Sequence, residues 1–414
     1  MLYAAVLAFT MVLSSGATMI GFKLLTEPRP PAKTLDTVKL ASGASTSAAG
    51  KAAPTKQAVA STRLVVAGPQ RLLDTRRTGA LPPGGEANIP LPASISPDST
   101  AVLLGVSLQN ATGPGQVSIK SDADDVPTLR VAAKKSATSA TVVVLLGSDQ
   151  KLRLKTAGGG HLVVDLLGDF EPADTAAAGR IVAVDPERVL RLRPGVDGND
   201  VDLKIANMAA LRKAGSVSAV LLHLSGDVGV HGGHVFFGPS KARLNQQVLW
   251  GPTSGTDRTR HGYVLVPVSK GKFHLQYHAG TELRVELVGY VTGAKAANST
   301  AGLAVPLPYQ AASAIRVATA GRTNVTVVPA AGLGGVSPDR VTAAIFGLSA
   351  ESSSRGDIAL TTPGRKAGYP ILSVAPNKPR SAATLTRVAN GQVTVAGVVG
   401  AQVILTPRAL ILGS

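Results

Sequence analysis

Six of the seven histidines, His223, His231, His234, His261, His274 and His278, fall between residues 223 and 278. Imidazole is the commonest side-chain ligand for zinc and copper. His231-Gly232-Gly233-His234 on a turn, with His274 and His278 sharing a strand face, would supply two ligand pairs if hairpins brought them together. The chain has no Cys, and no carboxylate pattern stands beside these histidines. A complete site is therefore not predicted, metal and cofactor are both expected to be none, and the histidines read as polar turn residues. Asp122, Asp124 and Asp125 gather carboxylates as a calcium loop would, yet the spacing of an EF-hand and its closing Glu are missing. Arg355-Gly356-Asp357 spells an integrin-type tripeptide, but it falls where a hairpin turn accounts for the glycine independently.

Enzyme templates fail in turn. There is no G-x-S-x-G elbow, no H-E-x-x-H and no phosphate-binding G-x-x-x-x-G-K-[ST] loop. Residues 297–414 hold only Asp339, Glu351 and Asp357, too few acids for a convincing carboxylate pair. No catalytic residue is assigned and no enzyme is expected. A hydrolase on an unrecognised site is the least favoured alternative.

The chemistry left to this chain is cationic. Its 42 Lys and Arg outnumber 25 Asp and Glu, a formal net charge of +17. Residues 63–174 balance to zero, whereas 175–296 carry an excess of +6 and 297–414 an excess of +7. The cations cluster at predicted turns: Lys241 with Arg243, Arg258 and Arg260 beside His261, Lys270 with Lys272, Arg365 with Lys366, and Lys378 with Arg380. These ten are the polyanion-binding candidates, because turns are where a surface reaches a polymer and such attraction is salt-sensitive and largely sequence-independent. Solubility by net charge is the competing reading. One Trp, six Tyr and seven Phe leave few stacking platforms, which argues against sequence-specific nucleic-acid recognition and against a module that stacks on neutral sugars. Trp250 itself is expected in a core.

The elements that must carry these turns are strands. Val102–Leu108, the turn Asn110–Gly115 and Gln116–Ile119 read as strand, turn, strand. Thr141–Leu146, the alternating Leu152-Arg153-Leu154-Lys155 and His161–Gly168 follow. The order returns at Ala219–Leu224, Gly232–Phe237, Tyr263–Val266, Phe273–Gln276 and Leu283–Gly289. It returns again at Val341–Leu348, Gly356–Leu360, Gln392–Val395 and Ala401–Leu405. Gly168 and Gly289 are 121 apart and Val102 and Val220 are 118 apart, the size of a β-sandwich domain rather than a solenoid unit. The predicted fold class is all-β: three tandem β-sandwich or jelly-roll-like repeats of about 120 residues, at 63–174, 175–296 and 297–414. Ala206–Ala214 is the best helix candidate.

Ahead of the repeats, residues 1–22 carry no charge, and Lys23 is the first charged side chain. That length reaches what a spanning helix needs, while Ser15-Gly16-Ala17 offers a small-residue cleavage site. Residues 1–25 are expected to be a signal peptide or membrane anchor. Residues 26–62, rich in Pro, Ala, Lys, Ser and Thr, are expected to be a flexible linker.

Arg71-Leu72-Leu73-Asp74-Thr75-Arg76 and Val163-Val164-Asp165-Leu166-Leu167-Gly168-Asp169-Phe170 give residues 70–171 a further character. With that opening and that closing strand, the first repeat resembles a β-domain of secreted proteins from high-GC Gram-positive bacteria. The second repeat keeps Arg188-Val189-Leu190-Arg191 and Gly289-Tyr290; the third keeps Ile315-Arg316-Val317 and lacks the closing acid. The resemblance implies an accessory domain on exported, often wall-associated proteins, with no catalytic role. Asp74 and Arg76, two apart on a predicted strand, would share a face and pair, so Asp74, Arg76 and Asp165 are assigned structural roles. The expectation is an extracytoplasmic structural or binding protein of the cell envelope, membrane-anchored or secreted. Its partner would be an anionic wall polymer or another envelope protein, with membrane contact through residues 1–22 if that segment is uncleaved.

Overall fold

The computed structural model describes residues 60–192, 199–228, 232–244, 246–251, 259–278, 282–309, 315–318, 321–366 and 368–414. The predicted N-terminal segment 1–25, residues 26–59 of the predicted linker, His231 and Arg258 lie outside the described residues. Among those described, no helix is long and apolar enough to cross a membrane.

Eight strands make the first lobe: β1 (Thr62–Asp74), β2 (Glu86–Ile89), β3 (Ala101–Gln109), β4 (Gly115–Lys120), β5 (Asp125–Val131), β6 (Thr138–Leu145), β7 (Leu152–Thr156) and β8 (His161–Pro172). The second lobe holds β9 (Ile181–Leu192), β10 (Asn199–Lys204), β11 (Val217–Asp227), β12 (Gly233–Gly238), β13 (Gln246–Trp250), β14 (Thr259–Pro267), β15 (Lys272–His278) and β16 (Glu282–Thr292). In the third lie β17 (Ala304–Pro306), β18 (Ile315–Ala318), β19 (Gly321–Thr326), β20 (Val341–Glu351), β21 (Gly356–Thr361), β22 (Leu372–Val374), β23 (Arg380–Arg387), β24 (Gln392–Gly397) and β25 (Gln402–Leu412).

All pairings between these strands are antiparallel, and the order repeats. The inner sheets run β1-β8-β3-β6, β9-β16-β11-β14 and, with β17 and β18 both on β25, β25-β20-β23. The outer sheets run β2-β7-β4-β5, β10-β15-β12-β13 and β19-β24-β21-β22. Strands one, eight, three and six facing two, seven, four and five make a jelly roll, so the chain is three jelly rolls in tandem.

Strand β3 shows why the lobes are not separate beads. Val102, Leu104, Val106 and Leu108 point into the first lobe's own core, against Val117, Ile119 and Leu154. Ala101 and Leu103, on the opposite face, are equally buried. They join Ala219 and Leu221 of β11 and Ala343 and Ile345 of β20 in a fourth core shared by all three lobes. Each inner sheet is thus covered on both faces, which is what an unbroken apolar run such as Ala101–Leu104 encodes. The sixth strands β6, β14 and β23 touch one another at the centre. A rung from Thr62 to Ala304 joins the first and third inner sheets into one of nine strands.

The eighth strand of each lobe carries a bulge at the same place. Leu103 pairs Gly168, Leu221 pairs Gly289 and Ile345 pairs Ala409, with Leu167, Val288 and Arg408 as the extra residues. The repeated glycines follow from close backbone approach. A Cβ on Gly168 would lie 2.6 Å from Val65 O, and one on Gly289 would lie 2.5 Å from Leu385 Cδ2 and 2.8 Å from Val182 O. Gly289→Ala is therefore expected to cost about 1–3 kcal/mol by overpacking. Urea unfolding checks it, and an unchanged midpoint would contradict the account.

Two sequence-based expectations change. Ala206–Ala214 forms no α-helix: two short 3-10 turns, Ile205–Asn207 and Ala209–Leu211, flank an extended Met208. So short a segment cannot sustain helix nucleation, and burial of Met208 and Leu211 in the second lobe's core fixes its path instead. Asp74 and Arg76 do not share a strand face either. Asp74 ends β1 and caps a one-turn helix, Thr75–Thr78, on which Arg76 lies. The two still pair, Arg76 Nη2 donating to Asp74 Oδ2 at 2.6 Å, and Arg71 bridges Asp74 at 2.8 Å to Asp165 at 2.5 Å.

Candidate functional site

In lobes one and three the loop joining the fifth and sixth strands, and in lobe two the facing ends of those strands, converge where the lobes meet. Between lobes one and two, Gly251 N donates to Ala137 O at 2.8 Å and Leu249 N to Ser139 Oγ at 3.0 Å. Arg130 N donates to Ser381 Oγ at 3.2 Å between lobes one and three. His261 Nε2 lies 2.8 Å from Ser373 Oγ between lobes two and three, and that hydroxyl donates to Asp357 at 2.5 Å. These contacts frame a cavity of about 260 Å³.

Six cations line it: Arg130, Lys134 and Lys135 from lobe one, Arg260 from lobe two, and Lys378 and Arg380 from lobe three. No carboxylate lines it among the described residues. Lys134, Lys135 and Lys378 are exposed on their loops, while Arg130, Arg260 and Arg380 are half-buried. Lys135 sits at φ +61°, a turn geometry that lifts the lysine pair off the strand ends. Trp250 is buried beneath in the second lobe's core, as its size favours, and donates Nε1 to His261 O at 3.2 Å. Like charges brought together from three separate segments make a mouth suited to a polyanion.

Of the ten polyanion-binding candidates read from the sequence, the structure brings Arg260, Lys378 and Arg380 together here. Of the rest, Arg258 lies outside the described residues and the other six lie elsewhere. Lys241 pairs with Asp200, Lys272 pairs with Asp202 at 2.6 Å, and Arg243 and Lys270 stand exposed on neighbouring turns of lobe two. Arg365 pairs with Asp185 at 3.7 Å and Lys366 lies beside it on the cleft between lobes two and three. Sequence reading missed Arg130, Lys134 and Lys135, because charge summed over the first repeat cancels. The Lys134-Lys135 doublet, on a loop equivalent to that of Lys378, was the available signal.

Beside the mouth, a polar cluster crosses from lobe two to lobe three. His223 is fully buried on β11, with ring centroids 5.4 Å from His261 and 4.4 Å from Tyr369. Its Nδ1 is 3.6 Å from Glu286, which occupies the position of Asp165 in lobe one. Burial pulls the His223 imidazole below its ordinary value, against the pull of Glu286. Burial holds His261 well below the usual histidine range, and His223, Arg380 and Arg260 add to that. Both rings are therefore neutral near pH 7.

His234 and His278 face each other across β12 and β15 with centroids 4.8 Å apart, while His274 sits between Asp202 at 2.8 Å and Asp200 at 3.3 Å. Among the described residues no group of three or more potential ligands converges on a metal position. The tripeptide Arg355-Gly356-Asp357 opens β21, with its Asp engaged by Ser373.

No family model matches the chain, and no curated protein does. Among solved structures, one similar chain is the N-terminal CBM22-1–CBM22-2 tandem domain of Paenibacillus barcinonensis Xyn10C. It is 9% identical, over 51% of this chain and 83% of that one, with a TM-score of 0.14. A superposition that loose carries no argument about ligand or activity.

Proposed function

We propose that the protein is a non-catalytic binding protein of the cell envelope, whose three-lobe junction holds an anionic polymer such as a phosphate- or uronate-bearing wall polymer. The observation that carries this reading is the convergence of Arg130, Lys134, Lys135, Arg260, Lys378 and Arg380, from three lobes, on one cavity. Each cation that displaces counterions from a polymer adds affinity that salt removes. The uncharged N-terminal run supports an extracytoplasmic address, where such polymers are the abundant polyanions.

The test is retention of the purified chain on isolated cell walls, with and without their anionic polymers, across a salt series. Lys134→Glu, Lys135→Glu and Lys378→Glu together are expected to lower retention at least tenfold at low salt. Arg243→Glu, Lys270→Glu and Lys213→Glu, an equal change in net charge placed on lobe two, are expected to do much less. Equal losses from both triples would reduce the effect to overall charge, and retention indifferent to salt or to the polymers would end the proposal.

A further inference from the structure

A second cavity, of about 70 Å³, lies between the inner sheets of lobes one and three. Its walls are apolar, from Val126, Ala140 and Val142 on one side to Ile345, Ala382 and Ile404 on the other. Arg408, the bulge residue of β25, lines it with 3% of its side chain exposed. At the same bulge, lobes one and two place Leu167 and Val288 in the shared core, so the fold needs no cation at this position.

The guanidinium is only partly satisfied. Nη2 donates to Asp124 Oδ2 at 2.6 Å and to Val143 O at 2.8 Å, and the group lies 5.6 Å from the Tyr309 ring centre. Nε and Nη1, both buried, donate to no protein atom. A buried donor left without an acceptor is costly, and a charged one more so. Arg130 also lines this cavity, while Asp124, the partner of Arg408, is not among its lining residues. Burial lowers the Arg408 guanidinium from its ordinary value, with Asp124 opposing; a second carboxylate would favour the charged form further.

We propose that this inter-lobe cavity is a binding site for a short aliphatic monocarboxylate, its oxygens taking the Nε and Nη1 protons of Arg408 and its alkyl end packing between Val142 and Ala382. A water occupies roughly 30 Å³ in the liquid, so the space admits about two waters or one anion the size of propionate. The site shares Arg130 with the cationic mouth but rests on Nε and Nη1 of Arg408, which does not line that mouth, so the two readings are tested apart.

Propionate titrated into the full chain, followed by calorimetry and by ligand-observed NMR, tests the assignment. Saturable binding is expected, with 1-propanol, which has the alkyl chain but no charge, failing to bind. Arg408→Lys keeps a cation opposite Asp124 but removes Nε and Nη1. Ala382→Leu fills the cavity from the lobe-three wall and leaves the ion pair in place. Each is expected to weaken propionate at least tenfold, and should the first variant not fold, the second decides. Absence of saturable binding, equal binding of propanol, or an affinity unchanged by Ala382→Leu would overturn the proposal.

Discussion

Replacing Asp124 by alanine is expected to lower the free energy of unfolding by about 3–5 kcal/mol, the usual cost of stripping one partner from a buried ion pair. Asp124 is completely buried and Arg408 nearly so. The carboxylate does more than balance charge: it also accepts Tyr309 N at 2.6 Å and Leu145 N at 3.2 Å. Its removal strands a guanidinium and two backbone donors between lobes one and three. Urea unfolding of the full chain measures the loss. Adding Arg408→Leu, the residue type that lobe one carries at its bulge, is expected to recover about 2 kcal/mol or more, because the uncompensated charge goes with it. A loss under about 1 kcal/mol, or a double variant no better than the single, would show that this contact does not hold the lobes together.

Acid should weaken the protein well above the carboxylate range. His223 and His261 are buried and neutral in the folded chain, while in the unfolded chain each regains an ordinary value near 6.5. The unfolded state then binds more protons. Stability is complete above pH 6.5 and falls as the pH drops below it, by up to about 1.4 kcal/mol per pH unit for each ring. The groups facing this pair are Glu286 and Tyr263 from lobe two, Tyr369 and Asp357 through Ser373 from lobe three, with Arg188, Arg260 and Arg380 around them. Burial raises Asp165 and Asp169, which acts in the opposite direction at lower pH. Urea midpoints at pH 7.5, 6.5 and 5.5 therefore isolate the histidines. The wild type is expected to lose stability across that range and His223→Phe to lose markedly less. A flat wild-type profile would mean that the rings are not held neutral.

Much of the fold is legible in the chain because jelly rolls write themselves locally. The alternation of Leu152-Arg153-Leu154-Lys155 becomes the half-wet outer strand β7, and the recurrence of Gly168 as Gly289 marks a bulge where a neighbouring carbonyl leaves no room for a Cβ. What stays hidden is whatever depends on which lobe touches which. Lys241 and Lys272 look like free cations until β10 brings Asp200 and Asp202 beside them. Arg130, Lys134 and Lys135 vanish in a balanced sum until β5 and the loop after it meet Arg260 of lobe two and Lys378 and Arg380 of lobe three. Asp124 read as part of a failed calcium loop, because its partner Arg408 is 284 residues away. Periodicity and spacing report a residue's own strand and turn; they are silent on contacts made by the far faces of three sheets.

The rung between Thr62 and Ala304 has a consequence for how this chain is made. Its two ends are 242 residues apart, and within lobe three β17 pairs with β25, residues 402–412. Contacts so distant in sequence form late, after the entropy of closing a long loop has been overcome. Until residues 402–412 are in place, β20 and β17 each lack the strand between them, and the nine-stranded sheet remains two open-edged halves. Such edges pair readily with other chains. Strand β25 is thus a latch, and a polypeptide that lacks it is a precursor to aggregates rather than a slightly smaller protein.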